Sequence, residues 1–147
     1  MTFVLMLASL LLVNTCAVQD AHDGTVVTIE AYLVFERHSA YLVSKLEDVH
    51  RPECAVFAGF PPMPDGELRG IGRTQGSSVQ QINRFVDEYY RYARVRGGAP
   101  RRVRLVGTMR VKRNFERQSV PRSVGNGFGY HRVYRAAVRV EMIEYAD

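Results

Sequence analysis

The stretch TVVTIEAYLVF at residues 25–35 decides the fold class. Val27, Ile29, Ala31, Leu33 and Phe35 fall on one side of an extended chain, the period of a half-buried strand rather than a helix. β-favouring residues continue through Tyr41, Leu42 and Val43, so residues 25–43 are expected as two strands, or as one strand bent or bulged at Arg37 to Ser39. Residues 54–60 form a short apolar run bounded by Pro52 and by Pro61-Pro62, which suits a buried third strand.

Downstream, Pro61, Pro62, Pro64, Gly66, Gly70, Gly72 and Gly76 make residues 61–76 a long loop. Ser77 or Ser78 then caps a helix, with Ser78 and Gln81 at capping-box spacing. Val79, Ile82, Phe85, Val86, Tyr89 and Ala93 form its apolar stripe, Arg84–Glu88 and Asp87–Arg91 are spaced for surface pairs, and Gly97-Gly98 ends it. The next strand turns Val103, Leu105, Met109 and Val111 to one face and Arg102, Arg104, Thr108 and Arg110 to the other, and Gly107 marks a bulge or tight bend. A polar loop over residues 114–129 leads to a last strand in which Tyr134, Ala136, Val138, Val140 and Met142 alternate. Three strands, a helix and two strands is the element order of an OB-fold barrel. The expected fold is therefore mainly β (α+β): a small five-stranded OB-like barrel with one helix between strands 3 and 4.

Three segments carry a resemblance: VTIEAYLVFERHSAYLV at 27–43, VRLVGTM at 103–109 and GFGYHRVYRAAVRV at 127–140. Together they resemble a loose group of uncharacterised bacterial exported proteins with OB-like barrels. The resemblance implies an opening hairpin, a fourth strand ending in Val-x-Gly-Thr, and a Gly- and His-containing loop before the last strand. It implies no activity.

The N-terminus supports export. Residues 1–17 hold no charged side chain, and residues 3–13 are apolar but for Ser9. As a helix this run rises about 16 Å against a bilayer core of about 30 Å, so it suits the core of a signal peptide rather than a membrane span. Thr15 and Ala17 occupy the minus-three and minus-one positions of a small-residue cleavage site, giving a signal at 1–17, a spacer at 18–24 and a domain at 25–147. The alternative is a lipobox-like Val13-Asn14-Thr15-Cys16, with Cys16 lipidated and the protein membrane-anchored. Either route leaves Cys54 without a disulfide partner, and Cys54 then reads as a small core residue; a Cys16–Cys54 bridge requires instead that the leader be retained, as a buried N-terminal helix or strand.

With 147 residues, 46% hydrophobic and 24% charged, the chain suits one globular domain. Its charge is asymmetric. Residues 91–139 contain 14 Lys or Arg against one acid, Glu116, whereas residues 18–90 contain 6 against 11 acids. Such a basic block fits a polyanion: an anionic envelope polymer, lipid head groups or, less favoured after export, nucleic acid. The candidate contacts are Arg102, Arg104, Arg110, Lys112, Arg113 and Arg132, with Arg117 and Arg122 nearby and Tyr130, Tyr134, Phe115 and Phe128 interleaved for stacking. The competing reading is that the acidic half neutralises the basic half within the fold or across a dimer.

Catalytic and cofactor motifs are weak. His50 and Cys54, with Glu36 and His38 nearby in sequence, are too few for a closed zinc site. His38 and Ser39 are adjacent rather than arranged as base and nucleophile, and Glu47-Asp48 and Asp87-Glu88 read as solvated carboxylates. Gly72-Arg73-Thr74 lacks phosphate-loop spacing. His131 suits either a pocket or a stack on Tyr130. The expectation is a noncatalytic exported binding module without a cofactor; the alternative is a structural or envelope protein-interaction domain using apolar or strand-edge contacts. An enzyme would need His38, Glu36 and His131 around one pocket.

Overall fold

The alternation at residues 25–35 is realised as β1 (Val26–Glu36), which is followed by β2 (Ser39–Val43) and β3 (Ala55–Gly59). Helix α1 (Ser78–Arg96) precedes β4 (Arg101–Val111), a two-stranded hairpin of β5 (Arg117–Gln118) and β6 (Val124–Gly125), and β7 (Ala136–Tyr145). The computed structural model describes residues 13–36, 39–60, 78–96, 99–118 and 124–146. The residue 61–76 loop, the Gly97-Gly98 stop, and His38, Arg122 and Gly72-Arg73-Thr74 lie outside the described residues.

The main sheet closes into a five-stranded barrel in the order β1-β2-β3-β7-β4, with β4 returning to β1. Every pairing is antiparallel except β3 with β7. Inward residues follow the strand period: Ile29, Ala31 and Leu33 from β1, Leu42 from β2, Val56 and Ala58 from β3, Val103, Leu105 and Met109 from β4. Ile82, Phe85 and Tyr89 of α1 join the same core. Burying each such aliphatic or aromatic side chain contributes about 1.5–3 kcal/mol. The Tyr89 hydroxyl donates towards the Leu33 (3.1 Å) and Ala99 (3.0 Å) carbonyls, and its ring lies 4.4 Å from Phe35.

Gly107 is where β4 and β7 slip register. Val106 faces Met142 but Gly107 faces Val140, so β7 carries one extra residue, a bulge. An added Cβ at Gly107 would overlap the Arg139 carbonyl oxygen, which is why glycine stands there. The bulge corrects the expected alternation of the last strand. Ile143 points inward in place of Met142, which is 59% exposed, and Tyr134 lies ahead of β7, packed outside the barrel.

A second core explains why β3 is buried on both faces. Val34, Tyr41, Val43, Phe57 and Ala137 point outward and are covered by Phe128, Val133 and Tyr134 of the connection that precedes β7. That connection, expected to be an irregular loop, contains the β5–β6 hairpin.

The N-terminal segment is also built in. Val13 and Val18 belong to the inner core, and Thr15 and Ser44 exchange hydrogen bonds: Thr15 N–H donates to Ser44 Oγ (2.9 Å) and Ser44 N–H to Thr15 Oγ1 (2.8 Å). Cys16 is disulfide-bonded to Cys54, 38 residues away. The expected isolation of Cys54 is thereby corrected; spacing carries no information about which sulfurs meet in space. Residues 19–24 dock on β4, where the Gly24 N–H donates to the Met109 carbonyl and the Val111 N–H to Asp23 Oδ1.

Candidate functional site

A cleft opens beside β2, and its first wall is a hydrogen-bonded triad. The hydroxyl of Tyr41, on β2, donates to Oε1 of Glu36, the last residue of β1, at 2.7 Å. The same hydroxyl accepts from the His50 backbone N–H at 3.3 Å, and His50 Nδ1 lies 2.8 Å from Glu36 Oε1. A carboxylate at Nδ1 favours the tautomer protonated there and leaves Nε2 free to accept. The His50 side chain is 77% exposed, so that nitrogen is available to a ligand. Burial, reinforced by the hydrogen bond to Glu36, pushes the Tyr41 phenol well above its ordinary pKa and keeps it protonated.

The facing wall comes from the connection before β7. Gly129, His131 and Arg132 take left-handed backbone angles (φ 74°, 56° and 55°), as does His50 (φ 71°) across the cleft. Left-handed non-glycine residues each carry strain of about 1–3 kcal/mol and cluster at functional sites. Packing holds them in place. A Cβ on Gly129 would press on the rings of Phe57 and Tyr134, the Arg132 N–H donates to the Gly129 carbonyl, and Phe128 pairs with Tyr134 as an isolated bridge. Tyr134 is buried against Tyr41 and Phe57, with ring centroids 5.8 and 5.7 Å away. The rings of Tyr130 and His131 lie 4.0 Å apart and tilted by 54°, with Tyr130 open to solvent.

Arg51 and Pro52 supply the remaining side. Arg51 is held by Asp48 (Nη1 to Oδ1, 3.1 Å) and Glu53 (Nε to Oε1, 3.1 Å). Asp48 corrects its reading as a solvated carboxylate: it is 3% exposed, with Oδ2 3.3 Å from Cys16 Sγ. The cleft has a volume of about 240 Å³. Sites that engulf a whole small molecule are about 300–1,000 Å³, so this one suits a single ring-sized unit of a longer ligand.

The residues expected to bind divide into two groups. Tyr130 and Tyr134 line the cleft, and Arg132 lies between them in sequence, exposed. Arg102, Arg104 and Arg110 sit instead on the outer face of β4, which neighbours β1 and β7 and not β2 or β3. There Arg104 is held by Glu30 (2.6 Å) and Glu144 (3.5 Å), and Arg102 lies 5.8 Å over the Tyr32 ring. Arg110 Nε is 3.1 Å from Asp23 Oδ1, an ion pair whose angle makes no hydrogen bond. Lys112 and Arg113, just past β4, are exposed, and neither has an acidic partner among the described residues. The sulfur that lipidation of Cys16 would use is engaged in the bridge to Cys54.

Glu36 and His131 share the cleft, while His38 lies outside the described residues. The Glu36–Tyr41–His50 triad was not visible as a site in the sequence, since its members come from two strands and a turn; the left-handed His50 leaves no sequence signal. Among the described residues one group of three metal-ligating types comes together, Cys16, Asp48 and Cys54, and its two sulfurs are bonded to each other. No family model matches the chain, and comparison with curated proteins and with solved structures found no match.

Proposed function

We propose that the chain is an exported, noncatalytic binding module, an OB-like barrel that seats one unit of an anionic envelope polymer in the cleft beside β2. Strand order β1-β2-β3-β7-β4, a parallel β3–β7 pair and a helix between the third and fourth barrel strands support the OB-like reading. OB barrels take ligands on strands 2 and 3 and the loops beside them. The cleft here is lined from β2, the start of β3, the turn between them and the connection before the last strand. That coincidence carries the proposal.

Charge supports an anionic ligand on the same connection. Lys112, Arg113 and Arg132 have no described acidic partner, whereas Arg104 and Arg110 are ion-paired. Tyr130 and His131 offer the exposed rings for stacking. The Cys16–Cys54 bridge supports an oxidising compartment, and so export.

The test is titration of the folded chain with an anionic glycan, lipopolysaccharide and single-stranded DNA at low and high ionic strength. Binding to an envelope polymer should weaken with salt and fall about tenfold in Tyr130→Ala, the loss of one stacking contact. Arg132→Glu combined with Lys112→Glu should remove most of it; Arg102→Glu should not. No binding at low salt ends the proposal, and preference for DNA moves the ligand class to nucleic acid.

A second reading, a protein-interaction domain, is favoured by a separate observation. Val26 and Met142 are exposed on β1 and β7, the two neighbours of β4. A stoichiometric protein partner that survives high salt would select it.

A further inference from the structure

The segment around the expected cleavage site is anchored to the barrel by Val13, Thr15 and Val18. Thr15 is 3% exposed and satisfies both the N–H and the Oγ of Ser44. Val13 packs in the barrel core, the Ala17 N–H donates to the Asn14 carbonyl, and the Val18 carbonyl accepts from Arg135 Nη1 at 2.5 Å. We infer that the mature protein begins at or before Val13 and keeps Cys16 as a disulfide-bonded residue, so that cleavage after Ala17 and lipidation of Cys16 do not occur.

Both excluded products conflict with these contacts. A chain starting at Val18 loses Val13 from the core, leaves the Ser44 N–H without its partner and frees Cys54 beside the buried Asp48. It also places a new chain terminus on Val18, whose carbonyl accepts from the Arg135 guanidinium that Asp20 holds at 2.7 Å. Lipidation forms a thioether at the Cys16 sulfur, the atom that is bonded to Cys54. One sulfur cannot make both bonds. Bridge formation itself needs an oxidant: the two thiols and one glutathione disulfide give the protein disulfide and two molecules of glutathione.

The inference builds on the export reading only for where processing happens. The full chain, expressed with its own N-terminus in a bacterial host, is recovered separately from envelope and cytosol, equilibrated with oxidised glutathione and alkylated without reduction. Mass spectrometry should find an N-terminus at or before Val13, a peptide joining Cys16 to Cys54, and no alkyl group on either sulfur. A chain beginning after Val13, a lipid mass on Cys16 or two alkylated cysteines would overturn the inference. Recovery from the cytosol alone would defeat export while leaving the pairing readout intact. In Cys16→Ser the Cys54 thiol should become alkylated and the melting temperature should fall by several degrees; an unchanged melting temperature would also count against the inference.

Discussion

Tyr41 donates to Glu36 and accepts from His50, so one hydroxyl links the end of β1 to the turn after β2. Its pKa is raised in the folded chain, first by burial and then by Glu36. The fold therefore prefers the protonated phenol. The stabilisation is whole below the ordinary value of 10.0 and is lost as pH rises through and beyond it. Tyr41→Phe keeps the ring and removes the hydroxyl. Unfolding by denaturant should show a cost of about 1 kcal/mol at neutral pH and a shallower loss of stability above about pH 10 than the parent chain. Gly107→Ala should cost about 2–3 kcal/mol through overpacking against the β7 backbone, read as a lower denaturation midpoint. An irregularity of the β4–β7 ladder at Gly107 was legible, because a glycine inside a strand pattern marks a bulge or a close backbone approach. Its effect on Met142 was not, since alternation along β7 carries no record of an extra residue opposite β4.

The helix was the most legible element, because Ile82, Phe85 and Tyr89 recur at helical spacing and all three are buried. What spacing could not convey is the polar end of Tyr89. Tyr89→Phe preserves the packing and leaves the Leu33 and Ala99 carbonyls without that donor, so a loss of about 1–2 kcal/mol is expected in thermal or denaturant unfolding. The connection between β4 and β7 was read as a polar loop on its composition. Phe128 and Val133 are too few to register as a face, and Tyr134 was read into the alternation of the last strand; yet all three cover the outside of β2 and β3, and Val133 and Tyr134 shape one wall of the cleft. The candidate site was legible in its aromatic and histidine residues on that connection and illegible on the opposite wall, where tertiary pairing alone joins Glu36 to His50.

Across the molecule, element order sufficed for a five-stranded barrel with one helix, because each strand and the helix announce their own period. Charge along the chain was a poorer guide. The acidic residues Asp23, Glu30 and Glu144 come to rest beside the arginines of β4, so part of the basic block is cancelled by folding. The bridge was hidden by the apolar run before Cys16, which reads as a segment to be removed. Closing a loop of 38 residues should stabilise the fold by about 4 kcal/mol on the chain-entropy estimate, or a melting shift of about 10 °C for a chain of this size. Cys16→Ser with Cys54→Ser should melt that much lower, and reductant should bring the parent chain down to the same temperature.

The parallel β3–β7 pair sets a timetable for folding. Val56 meets Ala136, about 80 residues further along, and β1 finds β4 across a similar gap. Contacts of such high order are slow to form, on the millisecond-to-second scale. The cylinder cannot be stitched shut until β7, the last strand, has emerged, so every shorter length of the polypeptide is left with open edges.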